Sequence, residues 1–205
     1  MKYKHIVFDV DGTLVDSELK VLSTLRQAVI DMRGVDHPVE DLGWAMGMAP
    51  EPILTKLGYD NVEPIIRLWE RYLIEYQEPP KFFDGIEQTI MQLHARGVNV
   101  GIGTSRIYAE YLADFEKLPL YSYLGTAVCG DMVQKRKPAP DILLCYMEKT
   151  GASAADILFV GDTLFDLQCA EAAGIDAALA GWGTKLPAST ACAYYLKRPQ
   201  ELLEL

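Results

Sequence analysis

The chain has 205 residues, half of them apolar, with 29 acidic against 19 basic side chains and a formal net charge of -10. That is enough apolar material for the packed core of one or two domains. The acidity argues against nucleic acid or an anionic membrane as partner, since both select a basic surface, and the single basic cluster of Lys135, Arg136 and Lys137 is too short to reverse the balance.

Residues 5–10, "HIVFDV", form the first apolar run and read as a buried strand. It runs directly into "DVDGTLVDSE", which carries Asp9, Asp11 and Asp16. Asp9 and Asp11 are two positions apart, and such crowding is costly unless something offsets the repulsion. From residue 16 to 81 the periodicity turns helical. Leu22, Leu25, Val29 and Met32 make one stripe, and Ile65, Leu68, Trp69, Tyr72 and Tyr76 a second. Pro79 and Pro80 then break the helical pattern and mark a connector. These signals predict a helical unit at 16–81 inserted after the first strand, with residues 1–15 and 82–205 forming the rest.

Beyond it, residues 83–96 carry Ile86, Ile90 and Leu93 at helical spacing and end in Gly97. Apolar runs follow at 98–104, 126–130, 156–162 and 175–180, with a further helix at 163–173 closed by Gly174. Strand-like runs alternating with helices predict an α/β fold, an open parallel sheet with flanking helices. Cys129, Cys145, Cys169 and Cys192 lie far apart among apolar neighbours and read as buried thiols. No run approaches the ~18 apolar residues of a spanning helix, and the opening "MKYKHIVFD" lacks a charged leader with an apolar stretch behind it. The expectation is a cytoplasmic protein, a monomer or small homo-oligomer with no membrane partner.

Ligands of an open parallel sheet bind beyond the carboxyl ends of its strands. There the first strand supplies Asp9 and Asp11, the second Thr104 and Ser105, and the fourth Asp162 with Asp166 four residues on, while Lys137 follows the third in "KRKPAPD". One acid at a strand end is ordinary turn chemistry; the whole set is not. Clustered carboxylates without a nearby histidine or thiol are hard oxygen ligands that suit Mg2+, which typically shares its coordination with a phosphate. Such a cation offsets the repulsion between Asp9 and Asp11, and Lys137, Thr104 and Ser105 can hold phosphate oxygens. Pro138 biases Lys137 to an extended backbone, and Pro140 and Asp141 suit a helix start, so a stiff loop presents the lysine.

In these motifs the sequence resembles the haloacid dehalogenase superfamily. "DVDGT" at 9–13, Thr104, the lysine of "KPAPD" at 137–141 and "GDTLFD" at 161–166 match in order, and "FFDGIEQTIMQLHARGVNVGIGTSR" and "DILFVGDTLFDLQCAEAAGI" resemble the phosphoglycolate phosphatase-like branch. The resemblance spans residues 1–15 and 82–205, with 16–81 in the position of that branch's helical cap. It implies that Asp9 is the nucleophile forming an aspartyl phosphate and Asp11 the general acid and base, shuttling one proton rather than staying ionised. Asp162 is implied as a metal ligand with the Asp9 carboxylate and the Asp11 main-chain carbonyl, and Asp166 as support for that metal. Thr104, Ser105 and Lys137 are expected to bind the phosphoryl group. The substrate is then a small phosphorylated metabolite.

Blander roles compete at several positions. Asp162 could cap the helix beginning near Leu164, Asp166 could serve the same helix's dipole, and Arg106 is either a phosphate contact or a solvated helix-start residue. His5, His37 and His94 read as structural or surface groups, and Asp16 as a hinge. From the insertion, Glu18, Met46, Met48 and Lys56 are candidate substrate contacts. A dehalogenase would lack the acid at Asp11. A phosphohexose mutase of the same branch places an arginine shortly after a cap glycine, where this chain has "GMAPEP" at 47–52. A receiver-type phosphoacceptor would not carry its phosphorylated aspartate on the first strand with such an insertion behind it, and a non-catalytic ligand-binding protein stays as the alternative of another class, although no motif residue is missing.

Overall fold

A computed structural model describes residues 2–205. The centre of the sheet is β1, His5–Phe8, the first of the predicted runs. Its neighbours are β2, Asn99–Gly103, and β4, Ile157–Gly161, both parallel to it. β3, Ala127–Val128, extends one side, and β5, Asp176–Ala180, with β6, Tyr194–Leu196, the other. The order is β3-β2-β1-β4-β5-β6 and every pairing is parallel. The open parallel sheet read from the sequence is therefore present. β6 is the strand not foreseen, because three residues cannot display a periodicity.

Alternation along the strands divides the core into two faces. Ile6, Phe8, Leu158 and Val160 pack with Ile86, Ile90 and Leu93 of α4, Ile86–Ala95, and with Tyr111 and Phe115 of α5, Tyr108–Phe115. Val7, Ile157 and Phe159 face the other way, onto Ile142, Leu143 and Tyr146 of α6, Asp141–Thr150, and Cys169 and Ala170 of α7, Leu164–Ala173. With both faces covered, the strands read as continuous apolar runs rather than alternating ones. Gly101 lets α6 approach, since a Cβ there would overlap the Tyr146 ring.

A third apolar cluster lies wholly within the insertion. Leu22, Leu25 and Val29 of α1, Glu18–Arg33, meet Ile53 and Leu54 of α2, Pro50–Lys56, and Ile65, Ile66 and Trp69 of α3, Glu63–Glu75. Each fully buried Leu or Ile there contributes about 1.5–3 kcal/mol, and the Trp69 indole donates to Thr24 Oγ1 at 3.1 Å. Met32, at the rim of the α1 stripe in its last turn, is exposed. The chain enters and leaves this unit through adjacent segments. Asp16 N donates to Lys81 O at 2.8 Å, the Lys81 ammonium meets the Asp16 carboxylate at 3.2 Å, and Val15 bridges Phe82 in antiparallel fashion.

The four cysteines are free. Cys129 and Cys169 are buried as expected, whereas Cys145 and Cys192 are only half-buried. No described helix is long and apolar enough to cross a membrane.

Candidate active site

The sheet reverses its strand order between β1 and β4, and ligand sites of such sheets lie at that reversal. Asp9 follows β1 there, its N–H held by Val160 O at 2.9 Å and its carboxylate buried. Asp162 follows β4 and Asp166 lies one turn into α7. One carboxylate oxygen from each of Asp9, Asp162 and Asp166 lies within 4.8 Å of the others. Lys137 enters from the loop before α6 and donates to Asp9 at 2.8 Å and to Asp166 at 2.7 Å, itself buried. The Lys137–Pro138 peptide is cis.

The turn after Asp9 is built for close approach. Gly12 has φ +74°, and a Cβ there would overlap the Asp162 carboxylate. Thr13 Oγ1 donates to Asp162 at 3.1 Å, and the Trp182 indole donates to Thr13 O at 2.8 Å, so the loop after β5 braces this turn. The helix cap is Thr163 rather than Asp162. Thr163 Oγ1 accepts from Asp166 N while the Asp166 carboxylate accepts from Thr163 N, a reciprocal box that satisfies the free N–H groups of α7. Asp162 is thus released from capping, and both Asp166 oxygens are committed, one to Lys137 and one to Thr163.

Asp11 points elsewhere. Its carboxylate accepts from Arg106 Nε at 2.8 Å and Nη2 at 2.7 Å, and from Ser17 Oγ. Arg106 is buried and not solvated at a helix start; its Nη1 donates to Asp114 on α5 at 2.6 Å. Asp114 in turn accepts two bonds from Lys20 Nζ, at 2.6 and 2.8 Å, on α1 of the insertion. An alternating chain of charges therefore runs from Asp11 through Arg106 and Asp114 to Lys20. Burial alone would raise the Asp11 carboxyl, but the charge and hydrogen bonds of Arg106, with Ser17, outweigh it and bring Asp11 down to about 2. As arranged here Asp11 is an ionised acceptor, so the expectation that it shuttles a proton requires it to leave the Arg106 fork first.

The other predicted residues divide. Thr104 is buried at the end of β2, its Oγ1 accepting from Arg106 N at 3.2 Å. Ser105, Met46 and Met48 line a cavity of about 80 Å³ that opens onto Asp9 and Lys137. Glu18 and Lys56 do not line it. Glu18 is drawn to Lys185 at 2.7 Å on the surface, and the exposed Lys56 ammonium stacks over Trp44 at 3.7 Å. Asp114, Lys20, Glu70 and Glu110 were not singled out from the sequence. The signal for two of them is in α5, where Glu110 and Asp114 alternate with Tyr111 and Phe115 on the buried face. Acids on an apolar helix face need a partner or a ligand.

Burial pushes the Asp9 carboxyl up to about 7, against the pull of Lys137 and with Asp166 and Asp11 adding to it. Asp162 is pushed up by its own burial and by Asp166 and Asp9. Lys137 stays charged, because Asp166 and Asp9 more than offset its burial. The sign of the resulting pH dependence follows. In metal-free protein, folded Asp9 retains a proton that the unfolded chain loses near pH 3.8, so stability falls as pH rises from about 4 to about 7. Asp11 has the opposite sign. Its depressed carboxyl contributes about 2 kcal/mol above pH 3.8, lost as pH falls through about 2. Melting in EDTA should therefore give a higher Tm at pH 5 than at pH 8, with a smaller difference in Asp9→Asn; equal differences in the two proteins would remove Asp9 as the cause.

Known proteins share this architecture. Residues 6–180 match the family model described as haloacid dehalogenase-like hydrolase. The phosphoglycolate phosphatase of Escherichia coli is 32% identical over 197 residues, covering 83% of this chain and 78% of that one. A crystal structure from Lactobacillus plantarum is 28% identical with a TM-score of 0.90, over 100% of this chain and 99% of that one. CbbY from Rhodobacter sphaeroides, solved as a mutant with xylulose-(1,5)bisphosphate, shares the fold with a TM-score of 0.83 at 19% identity, over 98% and 96% of the two chains. The chain belongs to the haloacid dehalogenase-like hydrolases and is a phosphatase of that superfamily.

Proposed function

We propose that the protein hydrolyses a small phosphorylated metabolite through an aspartyl phosphate on Asp9, with Mg2+ as cofactor and residues 16–81 acting as a cap over the 1–15 and 82–205 core. The observation that carries this reading is the meeting of Asp9, Asp162 and Asp166 with Lys137 beyond the ends of β1 and β4. Three carboxylates with no nitrogen or sulfur donor among them are the donor set of a hard divalent cation. Asp9 and Asp162 would hold it with the Asp11 main-chain carbonyl, and Asp166 would keep Lys137 and the start of α7 in place. Bound there, Mg2+ would neutralise the carboxylates and draw charge from the phosphoryl oxygens.

The chain's own groups then have defined tasks. An Asp9 oxygen attacks phosphorus as the bond to the leaving oxygen breaks. Lys137 and the donors of Thr104 and Ser105 stabilise the charge on the transferring group. A proton from Asp11 goes to the leaving oxygen. Asp11 then takes a proton from the water that attacks the aspartyl phosphate, releasing inorganic phosphate and restoring the Asp9 carboxylate. Asp11 can do this only after exchanging Arg106 for the substrate. The charge chain reaching Lys20 supports a coupling of that exchange to movement of the insertion, which would also exclude bulk water.

A phosphate-release screen over phosphoglycolate, sugar phosphates, nucleotides and pyrophosphate tests the reading. Turnover is expected with magnesium and should fall to background with EDTA. Undiminished turnover in EDTA would remove the metal. Conversion of a sugar 1-phosphate to its 6-phosphate without phosphate release would make the protein a mutase, and stable phosphorylation of Asp9 without turnover a phosphoacceptor.

A further inference from the structure

The phosphoryl chemistry leaves part of the cavity's lining unused. Glu110 on α5 is only 6% exposed, yet its carboxyl has no hydrogen-bond or ion-pair partner among the described residues and borders the cavity. Glu70, on α3 of the insertion, and Arg136, just before Lys137, line the same space, also without ion-pair partners among the described residues. The other cations there are already committed. Arg106 uses Nε, Nη1 and Nη2 on Asp11 and Asp114, and Lys137 is held by Asp9 and Asp166. In this arrangement the walls away from the phosphoryl site offer the carboxyls of Glu110 and Glu70 and the guanidinium of Arg136. Met46, Met48 and Leu73 supply apolar surface between them.

A buried polar side chain without a partner is costly unless a ligand completes it. What a carboxyl lacks is donors. We propose that the leaving group of the substrate is a short fragment bearing hydroxyl or amino groups, gripped by Glu110 from the core and Glu70 from the insertion. This rests on the phosphatase reading and adds its substrate class. The cavity is small, about 80 Å³, which suits a fragment of a few carbons. Beyond its bridging oxygen the glycolate fragment has only a carboxylate, with no hydroxyl or amino group to offer Glu110 and Glu70, so phosphoglycolate is disfavoured here.

The test compares kcat/KM with magnesium for sn-glycerol 3-phosphate, phosphoethanolamine, 2-phosphoglycolate and p-nitrophenyl phosphate. At least one of the first two should exceed 2-phosphoglycolate by at least tenfold. Glu110→Gln, which keeps the shape and replaces one carboxyl oxygen by an amide NH2, should narrow that ratio about tenfold, mainly through KM of the donor-bearing substrate, and Glu70→Gln should act in the same direction. A preference for 2-phosphoglycolate, no preference, or a ratio unmoved by both variants would overturn the inference while p-nitrophenyl phosphate turnover kept the phosphatase reading intact. Failure of all four substrates, with phosphate released from another compound of the wider screen, would overturn the inference and leave the phosphatase reading intact.

Discussion

Asp9→Asn is expected to abolish phosphate release, by at least ~10⁴-fold, and at the same time to raise the melting temperature of the metal-free protein. The first effect follows from the nucleophile. An amide oxygen cannot form the aspartyl phosphate, and removing an attacking group leaves only the contribution of binding and charge stabilisation. The second follows from electrostatics. Asp9 is buried beside Asp162 and Asp166, and its carboxyl is pushed up to about 7, so at pH 8 the folded protein must carry a charge that its surroundings disfavour. The neutral amide removes that cost and leaves Lys137 its bond to Asp166. For a chain of this size each kcal/mol corresponds to about 2–4 °C, so a gain of several degrees in EDTA is expected. Magnesium should then stabilise the wild type and have little effect on the variant, because the cation and the substitution relieve the same repulsion. Activity retained by Asp9→Asn would sink the proposed mechanism. A lower metal-free Tm, with activity lost, would instead mean that the Asp9–Lys137 bond outweighs the carboxylate repulsion.

The carboxylates of this site were legible because a parallel sheet leaves little freedom. Strands buried on both faces read as continuous apolar runs, and the residues that end them must meet at one edge. Asp9, Asp162, Thr104 and Lys137 could be assigned by that rule without knowing the strand order. What the sequence did not disclose depends on partners far along the chain. Arg106 could be solvated or buried, and Asp114, eight residues later on the inward face of α5, decides it. The position of Asp11 was readable but its direction was not, since the Arg106 fork turns it from the phosphoryl site. Capping by Asp162 stayed open as an alternative for a local reason. Asp162 and Thr163 are adjacent cap formers, and only the reciprocal bonds of Thr163 and Asp166 tell which one caps. Within the insertion, the four candidate contacts divide. Met46 and Met48 reach the cavity, while Glu18 and Lys56 are held by Lys185 and Trp44.

Arg106→Ala should be the most destabilising single change at the site. The guanidinium serves two carboxylates, and its side chain and that of Asp114 are each 6% exposed. Removing one member of a buried ion-pair network leaves the other charges uncompensated, at a cost of about 3–5 kcal/mol, which at about 2–4 °C per kcal/mol is roughly a 6–20 °C loss in Tm. Arg106→Lys keeps the charge but not the two-pronged grip on Asp11, so it should recover much of the stability. Lys20→Met should cost less than Arg106→Ala, since Asp114 would still hold Arg106. Combined with Asp114→Asn its effects should be non-additive, because Lys20 and Asp114 share one pair of hydrogen bonds. The network also predicts a kinetic split. Because Asp11 acts only after leaving the Arg106 fork, Arg106→Lys should raise kcat where that release limits turnover, with little change in KM, and added guanidinium should lower the rate of Arg106→Ala. A variant that melts like the wild type would exclude the buried network as a source of stability. Loss of Tm with unchanged kcat would leave Arg106 a structural residue with no hold over the proton on Asp11.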